Sequence, residues 1–405
     1  MMQCGLLGRK LGHSYSPFIH SLLGDYSYAL FEKEPEELET FLKSGEFSGI
    51  NVTVPYKKDV IPYLDELTPI AQRLCAVNTI VRRGGKLIGH NTDYSGFLAM
   101  IKSSGLSVQN KKVLVLGSGG ASNTAVAVLE ELGAEVVVIS RTGNNHYDNL
   151  NLHRDASILV NTTPVGMYPH NGASPVDLTQ FPVLEGVLDV IYNPARTQLL
   201  LDAEKLGLNT VNGLLMLVAQ AKEAAEWFLN EPLSDGLVPR IHEQLRRRME
   251  NLILVGMPGC GKSTVSQLLS ETTGRTPVDA DTKIVKAAGK TIPEIFAQDG
   301  EETFRNWETQ ILSDLGKRSG LIIATGGGCV TRERNYPLLH QNGTIIWLQR
   351  DIANLPTDGR PLSQIGKLEE MYQMREPKYR AFADYIMDNN GSILETVSNI
   401  LEVLP

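Results

Sequence analysis

Residues 256–264 read GMPGCGKST, behind the apolar run NLILV and ahead of VSQLL. The spacing fits G-x-x-x-x-G-K-[ST] with Gly256, Gly261, Lys262 and Ser263, in the strand–loop–helix setting this loop requires. Glycines let successive backbone N–H groups turn inward around a phosphate, and the helix N-terminus adds its positive end. Lys262 is then expected at the β and γ oxygens of a nucleotide, and the Ser263 hydroxyl on Mg²⁺. The expected ATP-binding set is Gly256, Gly259, Cys260, Gly261, Lys262, Ser263 and Thr264. Cys260 reads as small filler in a tight turn rather than as a redox-sensitive thiol.

A second glycine run, GSGGAS at 117–122, follows the strand-like KVLVL and opens a helical stretch. Gly117 and Gly119 fit a dinucleotide fingerprint, while Ser122 holds the third glycine place. Taken alone, this run suits a cofactor turn and an ordinary βα loop equally. The end of the next strand adds Ser140, Arg141 and Thr142 in place of an acid. A guanidinium and hydroxyls suit a 2′-phosphate, which favours NADP over NAD. Upstream, LGHSYSP supplies Ser14 and Ser16, NVTVPYK supplies Asn51, Thr53 and Lys57, AVNTI supplies Asn78, and GHNTDYSG supplies Asp93. On a strand, Asn51 and Thr53 share one face, with Lys57 at its mouth.

These groups must be positioned by more than one core. A chain of 405 residues exceeds what a single hydrophobic core usually organises. Hydrophobic residues at 42% and charged residues at 21% describe an ordinary globular protein. A net charge of −8 excludes a general basic footprint for nucleic acid. Four scattered cysteines, Cys4, Cys75, Cys260 and Cys329, contain no C-x-x-C pair and support neither zinc nor a disulfide framework. The start lacks the apolar core of a signal peptide, and no apolar run approaches membrane-spanning length, so a cytoplasmic location is expected.

Apolar runs alternate with amphipathic stretches throughout, which predicts α/β layering with parallel sheets. KKVLVLGSGGASNTAVAVLEELGAEVVVISRT (111–142) reads as one βαβ unit, and ASILVNTTPVGM and GVLDVIYNP add two strands. Helical periodicity covers 212–230 and 239–250, and NLILVG starts a new strand at once, without a Gly/Ser or Pro-rich spacer.

Beyond the phosphate loop, DADTKI places Asp279 and Asp281 after a short extended segment. GEETFRNWE adds Arg305 and Glu308, LIIATGGGCV runs a strand into Gly326, Gly327 and Gly328, DGRPLS adds Arg360, and MREPKYRAFADY adds Arg375 and Arg380. Over about residues 250–405 these motifs resemble shikimate kinase. The resemblance implies that Asp281 meets the acceptor hydroxyl of shikimate as a base and that Asp279 helps hold Mg²⁺ through water. It also implies a clamp on the carboxylate and ring hydroxyls from Arg305, Arg375 and the Gly327/Gly328 backbone, with Arg360 on a lid over the phosphates. Arg380 reads as structural. Leu355 and Pro356 stand where that family often carries basic residues.

Over about residues 1–249 the earlier motifs, with NTTPVGM, DVIYNP and GLLMLVAQA, resemble shikimate dehydrogenase. The resemblance implies that Ser14 and Ser16 bind the substrate carboxylate, and that Asn51, Thr53, Asn78, Asp93 and Gln220 hold ring hydroxyls. Lys57 and Asp93 are the implied catalytic pair. Gly117, Gly119, Gly120, Ala121, Ser140, Arg141 and Thr142 are the implied NADP contacts; Met167 and Tyr192 border either the nicotinamide or the core. His13 and His90 read as backbone-positioning neighbours. GNNHYDNLNLHRDASILV is short for the helix and strand common there, which predicts a trimmed cofactor domain.

The expected architecture is an N-terminal α/β substrate domain (1–100, joined by returning helices 213–249) with a Rossmann-like NADP domain (101–212). A P-loop kinase-type α/β/α domain with a parallel sheet (250–405) follows. The two motif sets meet on one metabolite. That predicts NADPH-dependent reduction of 3-dehydroshikimate to shikimate, then MgATP-dependent phosphorylation of shikimate. Alternatives are a single active half beside a binding or scaffolding module, or a first half that also accepts quinate. The expected partners are these small acids, with neither nucleic acid nor membrane.

Overall fold

The first strands are apolar on both faces because helices cover both sides. β1 (Gln3–Gly8) is buried at every residue but Gln3, and β3 (Gly49–Val52) at every residue. With β2 (Ser27–Glu32), β4 (Glu66–Leu67), β5 (Thr79–Arg83) and β6 (Lys86–His90) they form a sheet in the order β2-β1-β3-β5-β6-β4. This computed structural model describes residues 2–12, 14–355 and 365–404, the last range as backbone alone for 365–367.

The expectation of parallel sheets needs one correction. β3/β5 and β5/β6 are antiparallel. β5 and β6 are joined by a two-residue hairpin at Gly84–Gly85, both with positive φ (57° and 81°), which glycine enters without steric penalty.

A second sheet holds β7 (Lys112–Leu116), β8 (Glu135–Ile139), β9 (Ile158–Asn161), β10 (Gly186–Asp189) and β11 (Asn209–Val211). Its order among the described residues is β11-β10-β9-β7-β8, with every pairing parallel. The chain leaves β7 toward β8 on one side, and β9 returns on the other. The crevice beyond the carboxyl end of β7 is therefore a switch point of the kind that binds ligands in open α/β sheets. Between β8 and β9 lie only 3-10 turns, Tyr147–His153.

The helix Leu214–Leu229 returns to lie along the helix Asp93–Ser104, and the contact is close because Gly96 has no side chain. A Cβ there would stand 2.8 Å from the Met216 carbonyl oxygen and 3.0 Å from Gln220 Cβ. Gly49 likewise makes room for the Phe228 ring.

A third sheet is parallel throughout: β12 (Asn251–Val255), β13 (Thr276–Asp279), β14 (Leu321–Ala324), β15 (Gly343–Gln349) and β16 (Tyr385–Asp388), ordered β13-β14-β12-β15-β16. The central strand β12 is buried at every residue, and its core includes Ile253, Ile323, Ile346 and Trp347. The carboxyl ends of β12, β13, β14 and β16 lead into the phosphate loop, Asp279, the triple glycine and Asn389. By compactness the chain forms two units. One comprises Met1–Met167, Ala173–Tyr192 and Leu199–Leu245, the other Tyr168–Gly172, Asn193–Gln198 and Arg246–Pro405. No helix among the described residues is long and apolar enough to cross a membrane.

Candidate active sites

In the first unit, a cavity of about 290 Å³ opens where the first two sheets approach. β3 delivers Asn51, and the chain just beyond its end delivers Thr53 and Lys57. The turn after β6 delivers Asp93 as the first residue of its helix, where a carboxylate favours the positive end of the helix dipole. Lys57 Nζ donates to Asp93 Oδ2 at 2.6 Å, with the two side chains 28% and 16% exposed. Asn78 fixes the other carboxylate oxygen. Its Nδ2 donates to Asp93 Oδ1 at 2.9 Å, and its Oδ1 accepts the Thr92 N–H at 2.8 Å. Asn91 Oδ1 accepts the Asp93 N–H at 3.0 Å. The carboxylate is thus held in one rotation.

Ser14, Ser16, Asn78 and Gln220 line the same cavity, as do Ala121 and Tyr192. Thr92 Oγ1 donates to Gln220 Oε1 at 3.3 Å, and Gln220 Nε2 donates to the Leu217 carbonyl at 2.8 Å. Asn51 Oδ1 accepts from Tyr28 OH at 2.8 Å, and Asn51 Nδ2 donates to Thr79 Oγ1 at 3.2 Å. Behind Tyr28 stacks His20, ring centroids 4.0 Å apart. Burial lowers the His20 pKa to about 3, so this imidazole is neutral. Hydroxyls and amides can grip a small polyhydroxy acid, and the Lys57–Asp93 couple can exchange a proton with it.

On the cofactor side, Gly117 has φ 109°, and a Cβ there would stand 2.8 Å from Thr162 Oγ1. Gly119 and Gly120 would meet nothing within 4 Å, so the start of the helix Gly120–Glu131 is open to a close-approaching pyrophosphate. Ser122, in the third glycine place, is buried at 1% exposure within that helix. Ser140 Oγ donates to the Thr142 carbonyl, and Arg141 and Thr142 are exposed. The donor set and the open turn fit a dinucleotide with a 2′-phosphate. Met167 is 45% exposed and does not line the cavity; Tyr192 does, edge-on to Tyr15. His90 also lies outside the cavity lining, between Thr68 Oγ1 (2.8 Å) and Glu223 Oε1 (2.9 Å). His13 lies outside the described residues.

In the second unit, Gly256, Gly259 and Gly261 have φ of 145°, 85° and 99°, a backbone path open to glycine. Lys262, 9% exposed, donates to the carbonyls of Gly256 (2.9 Å) and Met257 (3.0 Å). Ser263 Oγ donates to Asp279 Oδ2 at 3.0 Å, while Asp279 Oδ1 caps the next helix through the Thr282 N–H at 3.0 Å. Ser263 and Asp279 are oxygen donors side by side, and with Lys262 they fit a Mg²⁺-bound nucleotide, since Mg²⁺ takes few protein ligands besides phosphate and water. Cys260 is fully buried, and Thr264 is exposed on the following helix.

Facing the loop, Gly326–Gly328 carries a cluster of charge. A Cβ on Gly326 would stand 2.7 Å from Asp281 Oδ1 and 2.9 Å from Glu308 Oε1. A Cβ on Gly328 would stand 2.2 Å from the Arg305 guanidinium, which donates to Glu308 Oε2 at 2.9 Å. Arg375 donates to the Gly327 carbonyl at 3.1 Å, and Tyr379 OH donates to the same oxygen. Burial raises the Glu308 carboxyl above its usual range against the opposing pull of Arg305. Arg380 pairs with Glu376 and lies 5.6 Å from the Trp347 ring centroid. Arg360 and Pro356 lie outside the described residues, and Leu355 is buried.

The sequence does not single out Tyr28, Thr92 or Asn389. Thr92 is adjacent to Asp93 in NTD, which is a usable signal; Tyr28 and Asn389 reach their partners only through the fold.

Comparison with known proteins agrees with both halves. The family model "Shikimate dehydrogenase substrate binding domain" matches residues 6–80, and the model "Shikimate kinase" matches residues 258–405. The shikimate dehydrogenase (NADP(+)) of Caldicellulosiruptor saccharolyticus is 34% identical over 281 residues, covering 62% of this chain and 100% of the relative. Shikimate dehydrogenase 1 from Peptoclostridium difficile has 37% identity and a TM-score of 0.56, covering 61% of this chain and 98% of that structure. A chorismate mutase/shikimate 5-dehydrogenase fusion protein from Clostridium acetobutylicum gives 35% identity and a TM-score of 0.58, covering 60% and 97%. The chain therefore belongs to the shikimate dehydrogenase family over its N-terminal part and carries a shikimate kinase domain behind it.

Proposed function

We propose that the chain carries two consecutive activities: reduction of 3-dehydroshikimate to shikimate with NADPH, and phosphorylation of shikimate at its 3-hydroxyl with MgATP. The observation that supports this best is that each unit sets acid-gripping and proton-handling side chains beside its own glycine loop.

In the first unit Ser14 and Ser16 hold the substrate carboxylate, and Asn51, Thr53, Asn78 and Gln220 hold the ring oxygens. NADPH, when bound, would supply the hydride; Gly117, Gly119, Gly120 and Ala121 would hold its pyrophosphate, Ser140, Arg141 and Thr142 its 2′-phosphate, and Tyr192, which lines the cavity, would border its nicotinamide. The Lys57 ammonium donates a proton to the carbonyl oxygen as charge develops there. Asp93, 2.6 Å from Nζ, orients that lysine.

In the second unit Arg305 and Arg375, with the Gly327 and Gly328 backbone, clamp the shikimate carboxylate and hydroxyls. Asp281 accepts the proton of the 3-hydroxyl as its oxygen attacks. Lys262 balances charge on the transferring phosphoryl group, and Ser263 and Asp279 would hold Mg²⁺, which would supply further positive charge beside the phosphate oxygens.

The test is a pair of separate assays on the intact chain: NADP⁺ reduction with shikimate, and ADP release with shikimate and ATP. Activity in both is expected. Silence in either, with the other intact, overturns the two-activity reading in favour of a single enzyme beside a binding module.

A further inference from the structure

A loop whose N–H groups converge on an anion must turn its carbonyls outward, and a buried carbonyl needs a donor. In the phosphate loop two carbonyls, on Gly256 and Met257, accept from Lys262. A third, on Cys260, is met from far along the chain. Asn389, the first residue beyond β16, donates from Nδ2 to the Cys260 oxygen at 2.5 Å across 129 residues. Asn389 is 2% exposed, and its Nδ2 lies 3.0 Å from where a Cβ on Gly261 would stand.

The amide has one orientation available. A carbonyl oxygen only accepts, so the nitrogen must face Cys260. The opposite end, Oδ1, accepts from Thr396 Oγ1 at 2.7 Å, and the Asn389 main-chain N–H donates to the Gln349 carbonyl at 2.8 Å. Backbone and side chain are therefore both fixed.

The peptide joining Cys260 to Gly261 is planar, with its carbonyl and N–H pointing in opposite directions. Holding the Cys260 carbonyl outward thus aims the Gly261 N–H into the loop, one residue before Lys262. We propose that Asn389 is a positioning residue for nucleotide binding, setting that peptide plane so that the Gly261 N–H meets a phosphate oxygen, with Thr396 setting Asn389. The proposal rests on the kinase reading above.

The test is calorimetric titration of MgADP into the full chain, for wild type, Asn389→Leu, Thr396→Val and the double variant. Asn389→Leu keeps the shape and removes the donor; about tenfold weaker MgADP binding is expected from one lost buried hydrogen bond. Thr396→Val is expected to weaken binding less and to add nothing in the Asn389→Leu background, because it acts through the amide. The KM of the kinase for its acid acceptor and the dehydrogenase rate should stay at wild-type values. MgADP binding by Asn389→Leu within about twofold of wild type overturns the proposal, as does an equal loss of acid-acceptor and nucleotide binding, which would mean general disruption. Should Asn389→Leu fail to fold, unchanged affinity in Thr396→Val overturns it. A wild-type chain that does not take up MgADP instead sinks the kinase reading itself.

Discussion

Lys57 and Asp93, thirty-six residues apart, meet at 2.6 Å inside a cavity lined by hydroxyls and amides. The pair is partly shielded, and Asn78 holds the far oxygen of the carboxylate, so the lysine has a fixed place rather than a surface sweep. Exposed ion pairs seldom have such bracing. Lys57→Ala should lower dehydrogenase turnover by about 10²–10⁴-fold, the usual contribution of a positioned acid–base group. Kinase turnover on the same chain should be unchanged. Parallel assays check this, and loss of both activities would contradict independent sites.

Lys262 is buried against two loop carbonyls, ready to turn toward phosphate oxygens. Lys262→Ala should reduce kinase turnover by at least about 10²-fold, as removal of a transition-state charge partner does. Dehydrogenase rates should hold. A surviving kinase would count against this loop as the site of transfer.

Gly328 sits directly beneath the Arg305 guanidinium, and its φ of −101° suits any residue. Gly328→Ala therefore acts only by displacing Arg305, whose head is tied to Glu301 and Glu308. The KM of the kinase for shikimate should rise by about tenfold or more, since a charge-assisted grip is lost, with MgADP affinity unaltered. A rise in both constants would show that the strain spreads into the phosphate loop.

His20 gives a pH signature to the first unit. Burial lowers its pKa from 6.5 to about 3, so the folded state keeps it neutral while the unfolded chain takes up a proton below pH 6.5. The unfolded state binds more protons across that window, so stability falls as pH falls. Between pH 7.5 and 5.0 the loss should be about 2 kcal/mol from this group. His20→Asn should start less stable, having lost the Tyr26 hydrogen bond and the Tyr28 stacking, but should show a flatter pH dependence. The urea midpoint of hydrogen-exchange protection in peptides spanning residues 3–32 measures it; an unchanged slope would refute a neutral buried His20.

By itself the sequence determined what short-range chain geometry can encode. Glycine placement sets the turns at Gly117 and Gly256–Gly261, apolar runs set β7 and β12, and a residue's distance from a strand end sets which side chains reach a cleft mouth, as with Lys57 beyond β3. The Gly84–Gly85 hairpin was equally legible as two glycines between apolar runs, and it makes the first sheet mixed. Tertiary structure alone decided which distant groups share a cleft. Tyr28 reaches Asn51, Arg305 lies over Gly328, and Asn389 reaches Cys260 because separate strand ends and helices converge there. A hydrogen bond depends on a few tenths of an ångström and on direction. Between residues 23 to 129 positions apart, only the packed sheets and their helices can fix both.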